Sequence, residues 1–397
     1  MHYIDLYTTV ILHSTLNLQQ GEALSINTNR GHQQFAQDLA QQAAEITLHP
    51  VQVVLITKGN PADVFTVKPL LHDPLPTDPI RRVLLRIDDT EDREWDVTAD
   101  PETIIKEPAL LQRVGNLGPP QLDRTIAPWS IIAVPGPAWA RRLLGEDGTE
   151  TELHRRLAGV LKTDQQNPLQ AWKEQTALLD YRLAQLNRLE CESFHITTGT
   201  GTDLTVAMVT ESRWRGGVRK LQDGRSFMPM LPLDRVSMLA DRQVTEGVVV
   251  TTRDFQLLGT KVRDARLVFS KGSVVSCTAE QGEHALAVAL GVDEGSAKLG
   301  ECSLVERNQA LCSFSNGTGH IGFDENCISS VTLGMGEAIH LEELDTYTDE
   351  NDLQQQTGCN VSLLRARLPI GDDQLTVTGR TVDGKIVMIM KNGTFCL

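Results

Sequence analysis

The sequence predicts an α/β protein of two domains: an N-terminal α/β domain with a mainly parallel sheet, then a strand-rich α+β C-terminal domain. Three observations support this prediction. The chain of 397 residues exceeds what one hydrophobic core usually serves. Strand-like and helical segments alternate in its early part, which is typical of α/β domains. Densely spaced strand-like segments then follow a long helical stretch, so we expect the architecture to change there.

The N-terminal elements follow one another as strand, helix and strand. The strand-like segments are residues 21–29, 51–59, 81–88 and 129–136, and the helical segments are residues 32–49 and 102–114. Parallel neighbouring strands need a crossover connection, which is usually a helix. This alternation therefore favours a mainly parallel sheet.

A helical stretch at residues 150–188 separates the two predicted domains. Its apolar residues lie three and four positions apart, which is the spacing of one helix face. We expect it to connect an N-terminal domain at residues 1–188 to a C-terminal domain at residues 189–397 that carries the functional pocket.

The second half of the chain reads as strands joined by tight turns. Its strand-like runs are residues 193–209, 246–252, 265–280, 303–307 and 373–397. The turns SKGS, VDGK and KNGT within these runs are typical of β-hairpins, because glycine adopts positive φ without a Cβ clash. We therefore expect a strand-rich domain with a few helices.

The charge and hydropathy of the chain exclude several classes of partner. A formal net charge of -15 disfavours binding to nucleic acid or to an anionic membrane surface, because both are polyanions. No apolar run approaches the roughly 20 residues that span a bilayer. We expect neither nucleic acid nor membrane as a partner.

The N-terminal residues and the cysteines predict a cytoplasmic protein. The first 18 residues have no basic segment before their apolar run, so they do not resemble a secretory signal. The 7 cysteines are scattered and form no CxxC pair, which argues against a disulfide framework and a zinc ribbon. We expect reduced cysteines that pack as small apolar residues.

Seven short blocks follow one another along the chain. They are LNLQQGEALSI (16–26), PGPAWARRL (135–143), GTDLTV with RWRGG (201–206 and 213–217), FMPMLPLDRV (227–236), EGVVVTT (246–252), DEGSAKLGECSLV (293–305) and FDENCISSVTLG (323–334). In this order and spacing they resemble the M29 family of metallo-aminopeptidases, the aminopeptidase T and aminopeptidase S group. The resemblance runs from near residue 6 to near residue 380.

The resemblance implies a homodimeric hydrolase with a two-domain fold. In the family the C-terminal domain holds two divalent cations, such as Zn, Co or Mn, that activate a water and polarise the scissile carbonyl beside a free peptide N-terminus. The substrate class it implies is a peptide or a small molecule of similar chemistry, and it implies no nucleotide cofactor.

The resemblance also carries the family's metal ligands onto six positions of this chain. They are Arg235, Glu301, Ser330, Glu337, Asn360 and Ser362, and Asp234 lies beside the first. Glu301 alone keeps the family's residue. Serine, asparagine and arginine are poor ligands for hard or borderline dications, so the resemblance implies a dinuclear site that is altered or absent.

Two overlapping sets of candidate residues follow. Candidates for catalysis or substrate binding are Glu301, Arg235, Ser330, Asn360 and Ser362, and candidates for metal ligation are Glu301, Asp234, His320, Glu337 and His340. Glu301 fits a general base, a lone metal ligand or a structural acid paired with Arg235. Arg235 fits a group that recognises a substrate carboxylate or a solvated surface residue. His340 with Glu337 forms an i, i+3 pair of the kind that metal sites use on helices.

The local structure of these candidates can also be predicted. We expect residues 323–337 to turn from a strand end into a short amphipathic helix, so that residues 330, 334 and 337 share one helix face. His320 is predicted on the strand before this turn. Residues 360 and 362 are predicted on one face of a strand, pointing into the same pocket.

Three functions remain open from the sequence. The first is a divergent hydrolase that acts on the N-terminal residue of peptides or on a small amino-acid-like amide. The second is a mononuclear-metal enzyme of another class, similar to the dihydroxypyridine dioxygenases, although this chain lacks their His-x-Asp pair. The third is a noncatalytic member of the family that binds a peptide or a small acid.

Overall fold

A computed structural model describes residues 2–57, 60–70, 78–88, 100–114, 127–210, 212–307, 317–336 and 350–397. Its α-helices are α1 His2–Val10, α2 Gln33–Thr47, α3 Pro101–Ile104, α4 Pro108–Arg113, α5 Pro137–Leu144, α6 Glu150–Leu161, α7 Pro168–Arg188, α8 Glu283–Leu290, α9 Ile321–Asn326 and α10 Glu350–Thr357. A π-helical turn, Ile11–Thr15, extends α1, and a short 3-10 turn, Arg30–His32, precedes α2. No described helix is both long and apolar enough to cross a membrane.

The strands form two large sheets and two short ribbons. They are β1 Glu22–Thr28, β2 Val51–Thr57, β3 Asn60–Val67, β4 Arg81–Asp88, β5 Trp129–Ala133, β6 Cys191–Thr197, β7 Asp203–Met208, β8 Arg215–Gly216, β9 Arg219–Lys220, β10 Ser226–Phe227, β11 Met230–Leu231, β12 Arg235–Val250, β13 Phe255–Leu257, β14 Thr260–Val262, β15 Arg266–Ser270, β16 Ser273–Thr278, β17 Leu299–Val305, β18 Ser330–Gly334, β19 Arg365–Pro369, β20 Thr376–Thr381, β21 Ile386–Lys391 and β22 Thr394–Phe395.

The first sheet is mainly parallel, as the sequence predicts. Its strand order is β11-β5-β4-β1-β2-β3, and only the β2–β3 pairing is antiparallel. The buried side chains of β1 alternate with half-buried ones, because one face packs on helices such as α2. The predicted helix at residues 102–114 is two helices, α3 and α4, and the second begins at Pro108, where proline suits a first helical turn.

Two long helices form the predicted connector. The Thr149 side chain accepts a hydrogen bond from the Glu152 backbone N–H at the start of α6, and Asn167 does the same for Gln170 at the start of α7. Trp172 is buried and donates its indole N–H to the Leu161 carbonyl oxygen at 3.0 Å, which fixes α7 against α6.

The second sheet is antiparallel and strand-rich. Its main path runs β19-β18-β17-β12-β7-β6-β20-β21-β22, and β8 and β15 also pair with β12. The predicted hairpin turns are confirmed at two places: Lys271 and Gly272 both have positive φ between β15 and β16, as do Asn392 and Gly393 between β21 and β22. These observations confirm the predicted fold class of a mixed α/β half and a strand-rich half.

The later half of the chain returns to the first sheet. The short strand β11 lies parallel to β5 at the sheet edge. Nearby, the Arg225 guanidinium donates two hydrogen bonds to the buried Glu22 carboxylate, at 2.5 and 3.0 Å. The boundary after Arg188 stays a prediction, and residues beyond it help to complete the N-terminal sheet.

The predicted structure of residues 323–337 is wrong in its order of elements. A short helix, α9, comes first and ends at Asn326, and Ser330–Gly334 is the buried strand β18. All five residues of β18 are buried, although polar Ser330 and Thr332 alternate with apolar Val331 and Leu333 as in a half-exposed strand. Residues 330 and 334 therefore lie on a strand and not on a helix.

Candidate functional site

Four antiparallel strands, β12, β17, β18 and β19, bring the candidate residues together. In one row across the sheet, Leu239 pairs with Glu301, Glu301 with Thr332, and Thr332 with Arg367. Directly opposed residues in antiparallel strands point to the same face. The next row contains Ser237, Ser303 and Ser330, and Arg235 lies one row further along β12.

The centre of this face is the carboxylate of Glu301, which is fully buried. Its Oε1 atom accepts a hydrogen bond from Ser303 Oγ at 2.8 Å. Arg367 Nη2 lies 3.5 Å from the same oxygen, and Arg235 Nη1 lies 4.0 Å from it. We call Arg235, Glu301 and Arg367 the charge cluster. Because the guanidinium groups come from different strands, register alone assembles it.

The charge cluster is nearly closed to solvent. The side chains of Arg235 and Arg367 are 10% and 3% exposed. Removing one partner of a buried ion pair costs about 3–5 kcal/mol, because a charge stays buried without compensation. Loss of any one of the three side chains is therefore expected to destabilise the folded protein.

Two hydroxyl groups lie on the same face. Ser330 and Thr332 are buried, and neither Ser330 Oγ nor Thr332 Oγ1 has a hydrogen-bond partner in the part of the chain that the structure describes. By contrast, Ser237 Oγ and Ser303 Oγ hydrogen-bond to each other at 2.8 Å. Both hydroxyls can therefore donate a hydrogen bond to a further group on this face.

Asn360 and Ser362 hold a loop that packs near the sheet. Asn360 Nδ2 donates to the carbonyl oxygens of Gly295 and Gly334, both at 2.8 Å. Ser362 Oγ donates to the Asp293 carboxylate at 2.8 Å. Both residues lie in an irregular segment before β19, so the predicted strand at 360 and 362 is wrong. Both side chains hold this segment against its neighbours, and a role in binding or catalysis stays a prediction.

His320 has no lone pair left for a metal. It precedes α9 as its N-cap instead of lying on a strand, and its Nδ1 accepts a hydrogen bond from the Gly322 backbone N–H at 3.1 Å. Its Nε2 lies 3.3 Å from the Asp88 carbonyl oxygen, which requires Nε2 to carry the proton. The ring packs against Trp139 with centroids 4.7 Å apart.

Asp234 lies against the connector helix α7. Its Oδ1 accepts a hydrogen bond from Gln175 Nε2 at 2.6 Å. Burial lowers the pKa of nearby Arg182 and the negative charge of Asp234 opposes this shift. Arg182 also pairs with Glu306 at the end of β17, so Asp234 belongs to a network that fixes α7 to the second sheet. Glu337 and His340 lie outside the described residues.

The described side chains do not fit a dinuclear metal centre. No group of three or more His, Cys, Asp or Glu side chains that could hold a metal occurs within the described ranges. Glu301 faces two guanidinium groups, and two fixed cations beside its carboxylate repel a dication. The described side chains therefore support no chemical step through a metal.

Sequence reasoning missed Arg367, although it completes the charge cluster. The available signal was the run RARLP at 365–369, in which arginine alternates with apolar residues in a strand-like pattern. Which face of that strand meets Glu301 depends on its pairing with β18, and local sequence does not encode that pairing.

A cleft with a volume of about 240 Å³ lies at the end of these strands where β17 ends and β18 begins. Charged residues of both signs line it, including Arg253, Arg307, Asp372 and Asp373. Val305, the strand partner of Arg235, also lines it. The cleft is thus at the same end of the sheet as Arg235.

Comparison with known proteins places this chain in a class of metallopeptidases. The family described as thermophilic metalloprotease (M29) matches residues 82–395. The chain belongs to the M29 family, which confirms the resemblance found in the sequence blocks.

Characterised relatives are aminopeptidases. The chain is 30% identical to aminopeptidase T of Thermus aquaticus over 272 residues, 68% of this chain and 65% of that protein. It is 30% identical to aminopeptidase 2 of Geobacillus stearothermophilus over 271 residues, 67% of this chain and 65% of that protein. The matches thus span 65% of the length of these relatives.

A solved structure has the same fold. Wild-type AmpT from Thermus thermophilus superposes with a TM-score of 0.77 at 23% identity, over 100% of this chain and 99% of that one. This likeness confirms the predicted fold class, with its mixed first sheet and its antiparallel second sheet.

Proposed function

We propose that this chain is an aminopeptidase-like protein that recognises the N-terminal residue of a peptide, or a small amino-acid-like amide, without a dinuclear metal centre. The charge cluster is the observation that carries this proposal. Two guanidinium groups lie beside Glu301, the one metal-ligand position at which this chain keeps the family's residue. Guanidinium groups bind carboxylate and carbonyl oxygens of ligands directly, through N–H donors in a rigid fork.

Hydrolysis of the recognised ligand is the second candidate function. Membership of the M29 family and the retention of Glu301 favour it. Against it, the Glu301 carboxylate is already engaged by Ser303, Arg235 and Arg367, whereas a general base must hydrogen-bond to the proton that it abstracts.

One experiment separates these candidates. The full chain is purified without chelator, its metal content is measured by elemental analysis, and binding and hydrolysis of an alanyl anilide and an alanyl dipeptide are followed with EDTA or with added Co, Zn or Mn. We expect the purified chain to contain no stoichiometric metal. We also expect it to bind the dipeptide equally well with and without EDTA.

Other outcomes point elsewhere. About one or two equivalents of tightly bound metal together with EDTA-sensitive hydrolysis would contradict the metal-free proposal and support the hydrolase. About one equivalent of iron without hydrolysis would support a mononuclear-metal enzyme of another class. If neither the anilide nor the dipeptide binds, the proposal that the chain recognises an N-terminal residue is rejected.

We also propose a cytoplasmic homodimer with a domain boundary near residue 188. The described cysteines are free thiols, which suits a reducing compartment. The dimer rests on the family resemblance, and light scattering coupled to size-exclusion chromatography tests it. Limited proteolysis near the α7–β6 junction tests the boundary.

A further inference from the structure

The two hydroxyls beside the charge cluster mark a place for a ligand atom. Ser330 and Thr332 are 2% and 1% exposed, and their hydroxyls have no hydrogen-bond partner among the described residues. Leaving a buried hydroxyl unsatisfied costs about 1–3 kcal/mol. Two of them on consecutive rows of one strand face are costly to keep unless something binds there.

The position of these hydroxyls indicates what that group is. Thr332 lies in the row between Glu301 and Arg367, so its hydroxyl is on the face that the Arg367 guanidinium crosses. Ser330 lies one row further along, opposite Ser303 and on the side of Arg235. Hydroxyl O–H groups and guanidinium N–H groups are all donors to a negatively charged oxygen.

We propose that Ser330 and Thr332, together with Arg235 and Arg367, form a binding site for a carboxylate group. The guanidinium groups bind the carboxylate oxygens as charge-assisted donors, and the two hydroxyls donate to the same group. This inference rests on the proposed function, which supplies the kind of molecule that bears the carboxylate. It narrows that function to acidic ligands, such as a short peptide or an amino acid that presents a carboxylate at this face.

The test uses the smallest pair of probes that differ in charge alone. Acetate and acetamide have nearly the same shape, and only acetate is an anion. Both are titrated into the full chain at constant pH and ionic strength, and the unfolding temperature and calorimetric binding are measured. We expect a saturable rise in unfolding temperature with acetate and no rise with acetamide, because a ligand that binds only the folded state stabilises it.

Variants locate the binding. Thr332→Val keeps the side-chain shape and removes an unpartnered hydroxyl, so the ligand-free protein stays folded and at least as stable. We expect the double variant, Ser330→Ala with Thr332→Val, to bind acetate about tenfold or more weakly. The reason is that both hydroxyl hydrogen bonds to the charged carboxylate are lost. Thr245→Val is the matched control, because Thr245 is also buried and unpartnered among the described residues but pairs with Val206 on β7.

Three results would overturn the inference. These are equal binding of acetate and acetamide, unchanged acetate binding in the double variant, and binding of inorganic phosphate with no binding of acetate. The outcome is separable from that of the proposed function, since acetate has no amino group or amide. Acetate binding without dipeptide binding would reject peptide recognition and keep the carboxylate site.

Discussion

At the scale of single residues, Glu301 is held by groups from three other positions: Ser303, Arg235 and Arg367. Replacing it by glutamine removes the only negative charge of the cluster and leaves two arginines facing each other. We expect Glu301→Gln to lower the free energy of unfolding by about 3 kcal/mol or more. Urea denaturation measures this change.

A surface acid supplies the control for that prediction. Glu294 also pairs with an arginine, Arg242, at 2.5 Å, but its side chain is 82% exposed. The Arg242 side chain is 13% exposed, but solvent screens the Glu294 carboxylate, so Glu294→Gln should lower the free energy of unfolding by about 1 kcal/mol at most. Equal effects of the two substitutions would show that burial of the charge cluster does not contribute to stability.

His154 predicts a specific loss of stability in acid. It is buried beside Tyr7, and burial, with smaller contributions from the amino terminus and His32, lowers the pKa of its imidazole from 6.5 to about 4. The unfolded chain therefore takes up this proton near pH 6.5, whereas the folded chain takes it up only near pH 4. As the pH decreases through that window, the free energy of unfolding falls by about 3 kcal/mol at most.

The variant His154→Leu isolates this contribution. Other groups also titrate in acid, so the informative quantity is the difference between the two proteins in free energy of unfolding, followed from pH 7 to pH 4. We expect wild type to lose more stability than the variant. Parallel curves would mean that His154 is protonated in the folded protein at its ordinary pKa.

At the scale of elements, Gly334 ends β18 beside the start of β19. Its φ is +78°, and a Cβ atom there would lie 2.0 Å from the Leu364 carbonyl oxygen. Gly334→Ala must displace backbone that pairs β18 with β19, and we expect it to cost more than 2 kcal/mol, by analogy with other strained sites. Thermal and chemical unfolding measure the cost.

Gly384 offers a control with the same backbone and open space. Its φ is +81°, and a Cβ atom would meet nothing within 4 Å. Gly384→Ala should therefore cost only the left-handed backbone penalty, about 1 kcal/mol. A similar loss in both variants would show that the close approach of β18 and β19 at Gly334 adds nothing.

The elements differ in how well the sequence predicts them. Strands such as β1 and the hairpins at Lys271 and Asn392 are predictable, because alternation and turn chemistry are local. The strand β18 is harder to predict, because its alternating run SVTLG is only five residues long and both of its faces are buried. Arg367 was missed for another reason: its place beside Glu301 follows from strand register between segments distant in sequence.

At the scale of the whole molecule, the two halves are joined by shared structure. The strand β11 completes the first sheet, Arg225 reaches the buried Glu22, and Trp139 donates to the Thr318 carbonyl oxygen at 2.7 Å. We therefore expect one cooperative unfolding transition, with far-UV and near-UV circular dichroism changing together. Two separated transitions would contradict this prediction.

A single variant tests how strongly the halves depend on each other. Arg225→Met leaves the Glu22 carboxylate buried without this partner, and we expect the free energy of unfolding to fall by about 3 kcal/mol. Arg30→Met is the control, because Arg30 and Asp63 form an exposed pair within the N-terminal half. Effects of equal size would mean that the Arg225 contact contributes little to joining the halves.

The charge cluster has a consequence for how the protein matures in a cell. Its cations are side chains of the chain itself, so they are present as soon as Arg235 and Arg367 have been synthesised. Centres built on metal ions depend on supply and delivery of the ion after or during folding. This centre assembles from strand pairing alone, and growth under metal starvation should leave the yield of folded protein unchanged.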